Sequence, residues 1–166
     1  MGDKGAGKTS LIVKIVTGTF PSECKPVLGG MICKDEFGEI IPETGSDFLI
    51  KEILVGKKLI KFQFWQTQIQ EELKYYLTGA SLIVLCYSLI DTNQYKNVKQ
   101  WLDKVKMVSD NIPIILVGCK SDLVDIESVI TSPEFFSRQV IKSIKLSAKN
   151  SEGIEELNNS LIDLFM

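Results

Sequence analysis

Two short apolar runs, SLIVLCYS (residues 81–88) and IPIILVG (residues 112–118), bracket a stretch with helical periodicity. Neither run alternates as a half-solvated strand would, so each reads as a strand covered on both faces. Between them Tyr95, Val98, Trp101, Leu102, Val105 and Val108 fall on one face of a helix over residues 93–110. Strand, crossover helix and buried strand make a parallel βαβ unit. The alternation continues. VIKSIKLS (residues 140–147) reads as a strand, and residues 151–165 as an amphipathic helix opened by Ser151 and Glu152. SPEFFSRQV, from Ser132, has a Ser N-cap with Pro first and predicts a short helix. FLIKEILV (residues 48–55) and LIKFQFW (residues 59–65) form a strand pair joined by Gly56, Lys57 and Lys58. A chain of 166 residues built this way is one α/β domain, its mostly parallel sheet covered by helices on both faces.

The chain opens on GDKGAGKTS, which fits G-x-x-x-x-G-K-[ST]. The glycines Gly2, Gly5 and Gly7, with Asp3, Lys4 and Ala6 between them, let backbone N–H groups converge on phosphate oxygens. Lys8 brings a mobile cation to the terminal phosphates. The Thr9 hydroxyl is the expected Mg²⁺ ligand, and Ser10 completes the motif. Leu11, Ile12, Ile15 and Val16 then predict a helix from Lys8 to about Thr17, whose positive end adds to the phosphate site.

Ligands of parallel sheets bind at the C-terminal ends of the strands. Three polar clusters sit there: Trp65 to Gln70 (WQTQIQ), Cys119-Lys120-Ser121-Asp122, and Ser147-Ala148-Lys149. With the first loop, their order resembles the Ras-like small GTPases, most closely the Rab branch, over nearly the whole chain. YYLTGAS and NVKQWL are also similar to Rab sequence. The resemblance implies a P-loop NTPase three-layer sandwich that binds GTP or GDP with Mg²⁺. It also implies switch loops that engage effector and regulator proteins.

Residue by residue, the resemblance makes Asp122 the acceptor of the guanine N1 and N2 groups, with the Lys120 stem over the base. Ser147, Ala148 and Lys149 match the loop whose backbone meets guanine O6, and Phe20 takes the place of an edge contact. Cys119 replaces an asparagine that ties this loop to its neighbours, a loss of about 1 kcal/mol. Gln70 keeps the place of the residue that orients the attacking water and, with Lys8, is the expected catalytic pair. Two positions depart from the family pattern. Gln66 replaces the aspartate that holds the metal's water shell, and Ile69 replaces the pivot glycine. Both changes point to a weakened Mg²⁺ site and slow hydrolysis. Lys4 stands where relatives carry a small side chain, so it would crowd the hydrolytic water or a partner's arginine finger.

The threonine of the first switch has two placements. Counting forward from Lys8 reaches Val27, which has no oxygen to offer. Counting back from the strand reaches Thr44, which requires an insertion of roughly 16 residues within about 24–43. Strand register favours Thr44 as the second metal ligand.

Relatives have a strand before the phosphate loop, and here only Met1 precedes it. Its absence would leave neighbouring strands with open edges, so either the sequence is incomplete, the simpler expectation, or another segment fills the gap. The last residues offer no cysteine for prenylation, so no membrane anchor is expected. A net charge of −2 and a pI near 5.3 give no nucleic-acid footprint. With no histidine, His-based catalysis is excluded. Cys24, Cys33, Cys86 and Cys119 read as thiols of a reducing compartment rather than a disulfide framework, Cys24 and Cys33 being incidental to a mobile loop. The expected protein is a cytoplasmic monomer, with partners carrying it to membranes. It is either a slow GTPase switch or a catalytically dead module for protein interaction. An ATP-using kinase is disfavoured by Asp122.

Overall fold

The computed structural model describes residues 1–27, 30–41, 48–125 and 138–166. They divide into two compact units, Met1–Lys8 with Thr67–Met166, and Thr9–Gln66.

The first unit is built on three parallel strands in the order β5-β6-β7: β5 (Ile83–Ser88), β6 (Ile114–Cys119) and β7 (Val140–Leu146). Every residue of β6 is buried, as a central parallel strand requires. Ile83, Leu85 and Tyr87 of β5 and Ile114 and Leu116 of β6 form a core with Val98, Trp101 and Val105 of helix α3 (Thr92–Val108). Leu73 and Leu77 of the short α2 (Leu73–Leu77) join this cluster. On β7, Lys142 reaches α4 (Ile154–Asp163), donating to Ser160 Oγ at 2.8 Å and pairing with Glu156 at 3.1 Å. Asp91 caps α3 by accepting from Asn93 N and Gln94 N. The Met1 backbone pairs with β5, its amino group donating to Val84 O at 2.8 Å and its carbonyl accepting from Cys86 N at 2.9 Å.

The second unit holds most of α1 (Lys8–Thr17), which runs as the sequence predicts, and two antiparallel hairpins. β3 (Phe48–Val55) and β4 (Lys58–Trp65) pair around Gly56 and Lys57. β1 (Glu23–Val27) and β2 (Gly30–Lys34) form the other hairpin inside the expected insertion. Val13 of α1, Cys33 and Ile41 make its small core.

Two expectations are corrected. Cys24 and Cys33 are directly opposed on β1 and β2 and joined in a disulfide, not incidental thiols. The opposed register sets their Cα atoms 4.1 Å apart. Ser151 and Glu152 do not begin the last helix. Ser151 has a positive φ, Glu152 bridges Ser147, and Gly153 is the N-cap of α4 without a side-chain bond. The expected α/β class stands: among the described residues β5, β6 and β7 form a parallel sheet, and the hairpins of the second unit pair antiparallel. The helix expected from Ser132 falls outside the described residues. Among the described residues no helix is long and apolar enough to cross a membrane.

Candidate nucleotide site

In the first unit the loop from Gly2 to Lys8 lies against the ends of β5 and β6. A Cβ on Gly2 would sit 2.0 Å from Cys86 O, and φ there is +134°, so only glycine fits. A Cβ on Gly7 would sit 3.1 Å from the Cβ of Cys119, which therefore packs directly on the loop. Ala6 is buried and its N–H donates to Asp3 O at 3.2 Å, closing the turn before α1. Lys8 is buried and donates to two loop carbonyls, Gly2 O at 2.8 Å and Asp3 O at 2.6 Å. Desolvation lowers its pKa from the ordinary lysine value. An anionic ligand would take over those donor hydrogens and relieve the burial.

Helix α3 holds the outer part of the loop. Trp101 Nε1 donates to Asp3 Oδ1 and Asn97 Nδ2 to Asp3 Oδ2, each at 2.8 Å. Gln94 Nε2 donates to Lys4 O at 3.1 Å, while its Oε1 accepts from Ser88 N at 3.0 Å. The sequence reading missed these three residues. The available signal was two amides, Gln94 and Asn97, spaced i, i+3, i+7 with Trp101 on an otherwise apolar helix face. Lys4 and Gly5 are exposed.

The two expected base loops meet. Ser147, fully buried, donates to Asp122 Oδ1 at 2.7 Å and accepts from Asn150 N. Ser121 Oγ donates to Glu152, whose carbonyl accepts from Ser147 N. Lys120 adopts the left-handed region at φ 68°, turning the chain sharply before Asp122. Ala148 is half-buried and Lys149 exposed. Beneath the loop, the Cys119 thiol donates to Val117 O at 3.9 Å and interacts with the buried Cys86 thiol. The interaction between the two thiols lowers the Cys86 pKa to about 7 and pushes Cys119 well up.

Gln70 begins a short 3-10 turn over Gln70–Glu72 and is half-buried. Ile69 has an extended backbone, φ −110° and ψ 111°. Its N–H donates to Thr67 Oγ1 at 3.1 Å, and that hydroxyl donates back to Ile69 O at 3.3 Å. The expected glycine pivot is thus a braced, ordinary β conformation.

In the second unit, the Thr9 hydroxyl donates to Gln66 Oε1 at 3.0 Å. Ser10 follows on α1, half-buried. Phe20 is half-buried in the same unit, and Val27 ends β1 opposite Gly30. Thr44 lies outside the described residues.

A family model, described as the Ras family, matches residues 1–166.

Proposed function

Because the chain belongs to the Ras family of small GTP-binding proteins, we propose that it is a Rab-like guanine-nucleotide switch with slow GTP hydrolysis. Its P-loop NTPase fold is the family's. The observation that carries the reading is the Ser147–Asp122 hydrogen bond at 2.7 Å. It fixes one carboxylate at the C-terminal ends of β6 and β7, in the unit that holds the phosphate loop. A fixed carboxylate accepts from the N1 and N2 donors of guanine and gains nothing from the edge of adenine.

In this reading Gly2, Asp3, Lys4, Gly5, Ala6, Gly7, Lys8, Thr9 and Ser10 hold the phosphates. Lys120, Asp122, Ser147, Ala148, Lys149 and Phe20 hold the base. Gln70 orients water and Lys8 neutralises charge. Residues 1–166 act as one monomeric G domain with an insertion at about 24–43, bind effectors through the switch regions, and regulate vesicle traffic.

The family binds its nucleotide with Mg²⁺, and the donors here fit that ion poorly. Thr9 faces a neutral amide, Gln66, where a hard dication prefers carboxylate oxygen. Thr44, the favoured second metal ligand beside Thr9, lies outside the described residues, and Val27, the other placement, carries no side-chain oxygen. No step of the proposed chemistry is therefore routed through a metal.

A second reading, a catalytically dead interaction module, is favoured by the Thr67 brace on Ile69. Nucleotide would then stabilise the fold without moving a switch. Hydrogen exchange over residues 66–76 separates the two. Protection that differs between GDP and GTP supports the switch, and identical protection supports the module.

Thermal unfolding with GDP, GTP and ATP tests the guanine reading. A ligand at 100-fold its Kd adds about 2.7 kcal/mol, or several degrees here. A rise with GDP and GTP and none with ATP is expected. An equal rise with ATP would refute base selection by Asp122, and no rise would refute the site.

A further inference from the structure

We propose that Lys4 supplies the phosphate-neutralising charge that the metal supplies elsewhere in the family, so that this chain holds guanine nucleotide without a divalent cation. The inference rests on the nucleotide site proposed above and goes beyond it in naming what balances the ligand's charge. A nucleoside triphosphate is multiply anionic, and a site partly out of water must neutralise it.

Four observations converge on Lys4. Its backbone is fixed, since its carbonyl accepts from Gln94 Nε2 at 3.1 Å. Its side chain is exposed, and among the described residues it forms no ion pair. The one carboxylate of the loop, Asp3, has both oxygens engaged by Trp101 Nε1 and Asn97 Nδ2. Asp3 is thereby directed to α3 and, among the described residues, forms no ion pair with Lys4. The Thr9 hydroxyl, meanwhile, donates to Gln66, a neutral amide at the place where the family pattern has the aspartate that holds the metal's water shell, so the site lacks that carboxylate charge. A lysine ammonium is a compact point charge with three donors on a long stem, well suited to replace a metal's charge at phosphate oxygens. Lys8 and Lys4 then place two cations in one loop. The triphosphate, being the more anionic, gains more from the second cation than the diphosphate does.

The test is fluorescence titration of the full chain with methylanthraniloyl-labelled GTP and GDP, in Mg²⁺ and in EDTA. Wild type, Lys4→Ala and Lys4→Arg are compared. Wild-type affinity is expected to change by less than roughly threefold on chelation, a small free-energy step. Lys4→Ala is expected to lose about tenfold or more for GTP in both buffers, with a smaller loss for GDP. Lys4→Arg should retain wild-type affinity, because the charge is kept. Lys4 is exposed, so unliganded melting temperatures of the three proteins should coincide and exclude a folding defect. Wild-type affinity that collapses in EDTA, or Lys4→Ala binding equal to wild type, would overturn this inference while leaving the nucleotide site standing. No wild-type binding in either buffer would overturn the nucleotide reading itself, and this inference with it.

Discussion

The Ser147 hydroxyl donates to Asp122 Oδ1 across 2.7 Å, joining the loop after β6 to the loop after β7. Removing the donor leaves a partly buried carboxylate short of a partner and free to turn. Ser147→Ala is predicted to cost about 1–3 kcal/mol of stability, read by urea unfolding. It should also narrow the preference for GDP over ADP. An unchanged preference would mean that Asp122 does not read the base.

Gly2 is sterically fixed. Gly2→Ala puts a Cβ against the Cys86 carbonyl at a φ that L-residues avoid. The expected loss is about 3 kcal/mol, seen as a melting temperature lower by roughly 6–12 °C in the absence of nucleotide. A loss under about 1 kcal/mol would show that the loop moves away from β5 at little cost.

Trp101 ties the loop to the helix beneath it. Trp101→Phe keeps most of the ring but deletes the indole N–H that reaches Asp3. Loss of a hydrogen bond to a charged group predicts about 2 kcal/mol of destabilisation. GDP affinity should fall as well, since the loop loses its anchor. Equal affinity in the variant would make the bond purely structural.

The hairpin disulfide closes a short loop, nine residues apart in sequence. Replacing Cys24 and Cys33 with serine is predicted to cost about 3 kcal/mol by loop-closure entropy. The loss should fall on protection within residues 9–66. Thiol titration of the unfolded, unreduced chain should find two free thiols, those of Cys86 and Cys119. Four would show the bridge absent.

Cys86 gives the stability a pH signature. Its folded pKa is about 7, below the ordinary 9.0, because the Cys119 thiol interacts with it. Between those values the folded state holds fewer protons than the unfolded state, so stability rises with pH. The contribution is complete above 9 and is lost as pH falls through 7. The lowered pKa values of Lys8 and the Met1 amino group act in the same direction within their own ranges. The raised pKa of Cys119 opposes them only above 9, where its unfolded thiol ionises. Comparing wild type with Cys86→Ala removes the interacting pair: the stability difference should grow as pH rises from 6 to 9. A pH-independent difference would remove the thiolate.

Much of the first unit was legible in the sequence, because its rules are local. An apolar run of six or seven residues must be buried on both faces, and the 3.6-residue period of α3 names the face that covers it. The phosphate loop was legible because glycine spacing and a lysine are chemically specific. α1 and the β3–β4 hairpin followed from periodicity and a Gly-Lys turn.

What failed lay at long range. The apposition of Cys24 and Cys33 depends on hairpin register, which a polar, glycine-containing segment specifies weakly. The late start of α4 follows from the bridge between Glu152 and Ser147, a contact made by folding rather than by propensity. By itself the sequence determined α1, α3, the β3–β4 hairpin and the three parallel strands, and it marked the glycine-lysine loop ahead of α1, since these depend on neighbours within a few positions. Only the tertiary structure decided that α3 pins that loop through Gln94, Asn97 and Trp101, that Ser147 aims Asp122, and that the Thr9 hydroxyl donates to Gln66. Those bonds join residues 25 to 98 positions apart, and their geometry exists only once the core has closed.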